Sequence, residues 1–228
     1  IDLERYNPET DPIIPANFSA KDKKGKAVCK KQHLADLGLQ EGNEPVIGIV
    51  TRLTWQKGLD LIINQFEELM DRNVQVVVLG AGDAKYEEPL KGFAGYHNEK
   101  FSLNLKYDAG LAQRIYASSD IFLMPSLFEP CGLSQMMALR YGSVPIVRET
   151  GGLKDSVESF NEYDQTGTGF SFTNYNAHEM MQIIDYALRI YNEHRDMWDG
   201  IVQRAMASKL DWDQSSDEYL RVFESLLY

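Results

Sequence analysis

From residue 45 onward, short apolar blocks alternate with stretches in which apolar positions recur every three or four residues. Residues 45–51 form a near-continuous apolar run, the pattern of a strand buried on both faces. Leu59, Ile62, Ile63, Phe66, Leu69 and Met70 then fall at helical spacing, opposite Glu67, Glu68 and Asp71. The next strand is expected over 74–79, closed by Gly80-Ala81-Gly82. Further strands are expected near 101–107, at Ile121–Met124 and over 144–147, with helices near 110–118 and 133–141 between them. Strands alternating with amphipathic helices imply βαβ units, so the fold class is α/β: a Rossmann-like parallel sheet with helices on both faces. The remainder reads as a helical C-terminal tail with three apolar faces. These are Met180, Ile184, Ala187, Leu188 and Tyr191; Trp198, Ile201, Val202 and Ala205; and Leu220, Phe223, Leu226 and Leu227.

The chain ahead of this pattern is different. Residues 1–26 are rich in Pro, Asn and Asp and end in the charged run Lys21-Asp22-Lys23-Lys24-Gly25-Lys26. Pro8, Pro12 and Pro15 exclude a continuous helix, so this segment reads as an interdomain linker or arm. Residues 27–38 suit a short helix stopping at Gly38, and the domain proper is expected to span 27–228. An opening Ile in place of Met suggests a fragment or processed product.

Composition narrows the partners. The 228 residues carry 23 Lys+Arg against 34 Asp+Glu, a net charge of -11, which repels phosphodiester backbones and argues against nucleic acid. An anionic ligand must therefore be held by a few local cations and backbone amides. No apolar run reaches the roughly 18 residues of a membrane span, and no secretory signal pattern is visible. Cys29 and Cys131 share no framework, which fits a reducing compartment better than a disulfide scaffold.

Ligands of such sheets bind outside the carboxyl ends of the strands, so the loops there hold the candidate chemistry. The first carries Arg52 and Lys57 just before a helix; Arg offers a fork of donors suited to phosphate and Lys a point charge, although two surface cations are the plainer reading. The loop after Ile121–Met124 carries Glu129, and Gly132 opens a helix whose unpaired N–H groups suit a diphosphate. Helix capping and tight packing are the alternatives there. Arg148-Glu149-Thr150-Gly151-Gly152-Leu153 follows the next strand with further backbone amides.

Together these motifs carry a resemblance. Thr51-Arg52-Leu53-Thr54-x-Gln56-Lys57-Gly58, Glu129-Pro130-Cys131-Gly132-Leu133, Arg140-Tyr141-Gly142 and Thr150-Gly151-Gly152-Leu153 occur in the order of the C-terminal domain of ADP-glucose-dependent glycogen and starch synthases. The likeness runs along essentially the whole chain. Ile1-Asp2 and Asn7-Pro8-x-x-Asp11 resemble the stretch just past that family's interdomain hinge.

The resemblance implies the C-terminal half of a GT-B fold, in which two Rossmann-like domains face each other across a cleft. It implies a retaining transfer of glucose from ADP-glucose to the non-reducing end of an α-1,4-glucan. Arg52 and Lys57 would hold the diphosphate, Glu129 would contact the donor glucose, and amides of Gly132, Leu133 and Ser134 would complete the phosphate cradle. Thr150, Gly151 and Gly152 would add donor contacts, and Tyr107 would stack on adenine. Neither metal nor cofactor is expected, because side-chain cations stabilise the leaving group. An N-terminal acceptor domain would be the partner, so the chain alone should bind nucleotide weakly and transfer glucose poorly or not at all. Cytoplasm or plastid stroma is the expected compartment, and secretion is not. Two positions depart from relatives. Met137 stands where many carry a second glutamate, and Glu149 stands where a cation is usual before Thr-Gly-Gly-Leu.

Rival readings are a UDP-sugar-dependent transferase of the same fold and a non-catalytic glucan-binding module. Other features read as structural. Asp211-Trp212-Asp213 matches a metal-binding D-x-D pattern, but Asp213 suits an N-cap. Gly80-Ala81-Gly82 lacks a third glycine and suits a tight turn, and Cys131 suits a small packing thiol. His33, His97, His178 and His194 show no ligand spacing and read as surface or helix positions.

Overall fold

The computed structural model describes residues 1–226, apart from the side chains of 212–215 and 218. Its strands are β1 (Val46–Val50), β2 (Gln75–Leu79), β3 (Phe101–Asn104), β4 (Ile121–Met124), β5 (Val144–Arg148) and β6 (Phe170–Phe172). They form one sheet in the order β3-β2-β1-β4-β5-β6 with every pairing parallel. Chain order reverses between β1 and β4, so a crevice opens outside the carboxyl ends of those two strands. Loop residues 51–58 and 125–133 border it.

The helices are α1 (Lys24–Asp36), α2 (Leu59–Asn64), α3 (Phe66–Met70), α4 (Ala84–Tyr96), α5 (Ala109–Ser118) and α6 (Ser134–Arg140), followed by α7 (Gly152–Ser156), α8 (Ala177–Glu193), α9 (Arg195–Met206) and α10 (Trp212–Leu226). Alternate residues of β2 serve opposite faces of the sheet. Val77 and Leu79 pack with Leu34 of α1 and Ile115 of α5, while Val76 and Val78 join the larger core. That alternation is why both faces need helices, as the apolar runs predict.

The structure departs from the pattern reading at several elements. The helical stretch after β1 is two helices, broken at Gln65. β3 ends at Asn104, because Asp108 caps α5 by accepting from the Leu111 amide at 2.9 Å and residues 105–107 become the connection. β6 and α4 escaped the pattern: β6 has only three residues, and α4 carries Pro89 inside it. The tail helix α10 opens at Trp212, one residue ahead of the predicted cap at Asp213; the side chain of Asp213, like Leu227, lies outside the described residues.

The amino-terminal arm is built into the domain. Ile14 and Phe18 belong to the core, and Asp11 is buried, accepting hydrogen bonds from the Tyr141 hydroxyl and from Gln113 Nε2. Arg140 donates to the Tyr6 carbonyl at 3.3 Å, so the Arg140-Tyr141-Gly142 motif anchors this arm. α1 begins at Lys24, inside the charged run. From its first turn Lys26 donates to the carbonyls of Ala117 (3.1 Å) and Tyr141 (3.0 Å), where α5 and α6 end. Burial pushes its ammonium pKa down to about 8.

Candidate functional site

β1 ends at Val50, and the chain then runs across the top of the sheet to α2. Leu53 is buried and pinned to the β2 exit, its amide donating to Ala81 and its carbonyl accepting from Asp83. Arg52, beside it, is exposed and has no ion-pair partner among the described residues. After a single 3-10 turn (Trp55–Lys57), Gly58 adopts φ 72°, and a Cβ there would lie 2.0 Å from the Pro125 carbonyl. Only glycine permits this approach, which brings Lys57 against the loop leaving β4.

Lys57 and Glu129 meet there. Lys57 Nζ lies 2.5 Å from Glu129 Oε2, with the two side chains only 15% and 9% exposed. Ser126, itself buried, donates to the same carboxylate oxygen at 3.4 Å. The pair is thus a mostly desolvated, charge-assisted contact at the switch point, not two surface charges. Beyond it the chain turns into α6, whose first amides, those of Ser134 and its neighbours, have no acceptor within the helix. α6 has seven residues, so any anion here answers to these individual N–H groups more than to a long-helix dipole.

The β5 exit packs on this loop. The Gly152 amide donates to the carbonyls of Glu129 and Pro130 at 3.2 Å, and the Thr150 amide donates to Arg148 at 2.9 Å. A Cβ on Gly152 would sit 2.1 Å from the Cys131 carbonyl. Sequence reasoning offered these amides to a ligand; the structure turns that of Thr150 back onto its own loop and uses that of Gly152 to tie the β5 loop to the β4 loop. Glu149 turns to β6, where Ser171 donates to it at 2.8 Å, and Lys154 lies at 4.0 Å. Its charge is therefore answered away from Glu129.

Arg148 was passed over as a functional residue, although it ends a strand as the chosen cations nearly do. Its Nε donates to Ser126 O at 2.8 Å and its Nη2 to Leu127 O, while the guanidinium lies 5.7 Å over the Tyr175 ring. It fixes the backbone that presents Glu129. Tyr107 is 96% exposed on the connection after β3. Cys131 corrects the packing expectation: it is exposed on the rim of the β4 loop, whereas Cys29 is the buried thiol. His33 lies within helix α1 and is buried there, and His97 pairs with Glu67 at 2.9 Å. No group of three or more metal-ligating side chains occurs among the described residues. No helix of the described residues is long and apolar enough to cross a membrane.

A parallel sheet of this order, with basic, acidic and amide groups gathered at its switch point, is the Rossmann-like C-terminal half of a GT-B fold. Residues 33–201 match the family model of glycosyl transferases group 1, and the chain belongs to that family. It is 50% identical to a glycogen synthase of Clostridium perfringens over 228 residues, covering 100% of this chain and 47% of that protein. It is likewise 50% identical to a glycogen synthase of Streptococcus uberis over 227 residues, covering 99% of this chain and 48% of the relative. The chain therefore spans about half the length of the curated relatives it matches. Among solved structures it resembles the catalytic domain of starch synthase IV from Arabidopsis thaliana bound to ADP and acarbose. That match has a TM-score of 0.90 and 36% identity, covering 99% of this chain and 47% of that one.

Proposed function

We propose that this chain is the sugar-nucleotide-binding half of a glycogen or starch synthase, transferring glucose from ADP-glucose to the non-reducing end of an α-1,4-glucan with retention. The observation that carries the reading is the Lys57–Glu129 pair at the sheet's switch point, with Arg52 on the same loop. In this reading Arg52 and Lys57 take the diphosphate, and their charge stabilises ADP as it leaves. Glu129, 2.5 Å from Lys57, faces the donor glucose and its developing positive charge. Amides of Gly132, Leu133 and Ser134 hold phosphate oxygens, and Tyr107 offers its exposed ring to adenine. Of the third loop, Thr150, Gly151 and Gly152 act by shaping the cradle that holds Glu129. The ADP in the starch synthase IV structure supports adenine over uracil as the base. The resemblance also supports a leaving group stabilised without a metal, and the two free thiols support cytosol or plastid stroma as the compartment.

Calorimetry of the purified chain with ADP and with UDP tests this. ADP should bind, UDP should bind about tenfold more weakly, and Arg52→Ala and Lys57→Ala should each cost at least about 1.4 kcal/mol of ADP affinity. Unchanged ADP affinity in both variants would overturn the assignment of roles. Detectable glucose transfer should require the acceptor half that the longer relatives carry.

A further inference from the structure

A second cleft lies beside the nucleotide site. It has a volume of about 440 Å³ and is bounded by Trp55 of the β1 loop, Asp60 and Asn64 of α2, Lys85 and Tyr86 of α4, and Tyr175 ahead of α8. That volume falls in the range of roughly 300–1,000 Å³ typical of small-ligand clefts. Leu127 of the β4 loop contributes to its wall, so the cleft touches both loops that meet at Lys57 and Glu129.

We infer that this cleft is a glucan-binding subsite on the donor half, separate from the nucleotide site. The inference rests on the glucan reading above and adds to it a place where the polymer is held.

Three observations carry it. Trp55 is 53% exposed on the 3-10 turn that also places Lys57, two residues on. An indole left open beside a cleft offers a flat apolar platform, which suits the C–H face of a sugar ring. Second, the opposite wall is rigid. The Tyr175 hydroxyl donates to Asp60 Oδ1 at 2.5 Å, and Arg148 lies over the Tyr175 ring. A pre-ordered wall lowers the entropy lost on binding.

Third, the polar groups select a neutral ligand. One carboxylate (Asp60), one ammonium (Lys85) and one amide (Asn64) line the cleft, so its charges cancel and no excess cation awaits a phosphate. Donors and acceptors placed around aromatic rings match a polyhydroxylated chain, and the cleft lacks the surplus cation that a diphosphate calls for. A glucan held there would keep its growing end at high local concentration near the donor.

Native electrophoresis in gels containing glycogen, run beside ADP calorimetry, tests the inference. The purified chain should be retarded by glycogen, and maltoheptaose should compete while cellohexaose should not. Trp55→Ala should weaken the retardation about tenfold while ADP affinity stays within about twofold. Trp55→Phe, which keeps a ring, should recover most of it and controls for folding. The inference is overturned if the chain binds ADP but is not retarded, or if Trp55→Ala is retarded as strongly as the parent. Loss of ADP binding by the parent chain would instead sink the donor-site reading.

Discussion

Lys57 and Glu129, 72 positions apart in the chain, form an ion pair of 2.5 Å that joins the loops leaving β1 and β4. Neither loop alone explains it: the 3-10 turn supplies the cation, and the close pass of Gly58 over Pro125 brings it to the carboxylate.

Removing one partner should therefore cost more than a surface ion pair does. With both side chains largely buried, Lys57→Ala leaves Glu129 without its counter-charge, a loss of about 3 kcal/mol. Glu129→Gln in the same chain should recover part of that, because a neutral amide tolerates the site. Urea unfolding of the two single variants and the double variant checks this. Additive effects would mean that the pair contributes nothing of its own.

Arg148 should matter to nucleotide binding as a positioning residue. It satisfies the Ser126 and Leu127 carbonyls just ahead of Glu129 and stacks on Tyr175. Arg148→Ala should lower stability by about 2 kcal/mol, the scale of charged hydrogen bonds. Arg148→Lys should rescue little, because an ammonium lacks the fixed planar fork that meets the Ser126 and Leu127 carbonyls and the flat face that lies over Tyr175. Circular dichroism melts and ADP calorimetry on both variants decide; full rescue by lysine would show that only the charge counts.

Much of this site was legible in the residues, for a physical reason. A strand buried on both faces shows as an unbroken apolar run, so the ends of β1, β4 and β5 could be found and their loops searched. What escaped was set by tertiary approach. Nothing local shows that the Gly152 amide bonds across to Glu129 and Pro130, or that Arg148 turns back across the β4 loop. β6 escaped because three residues, only two of them buried, carry no period. The packing of the arm escaped because its anchors, Asp11 and Lys26, are polar residues that act only once Tyr141 and the ends of α5 and α6 are in place.

Acid should loosen the α1–α5 face through His33. The ring is 2% exposed beside Leu34, and desolvation lowers its pKa from 6.5 to about 4, with Arg114 acting in the same direction and Asp36 opposing it. Between those values the unfolded chain binds the proton and the folded chain does not. Stability attributable to this residue is therefore intact above pH 6.5, falls as pH drops below it, and is fully lost near pH 4, a span of about 3 kcal/mol. His33→Leu should flatten that part of the curve of unfolding free energy against pH. An equal slope in the variant would place the sensitivity elsewhere.

The two thiols should report on the site from opposite sides. Cys131 is exposed between Pro130 and Gly132, with its carbonyl against Gly152, whereas Cys29 is buried in α1 and its thiol pKa is raised by that burial. A thiol reagent should therefore titrate one cysteine in the folded chain and two in guanidinium, since the thiolate is the reactive form and needs access. If the amides at the mouth of α6 hold a diphosphate, ADP should slow labelling of Cys131 about tenfold, while adenosine, which lacks the phosphates, should not. Protection by adenosine as strong as that by ADP would set the nucleoside, not the diphosphate, against the β4 loop. Absence of protection by ADP at saturating concentration would separate the phosphate site from the Glu129 loop altogether, and with it the role proposed for Lys57.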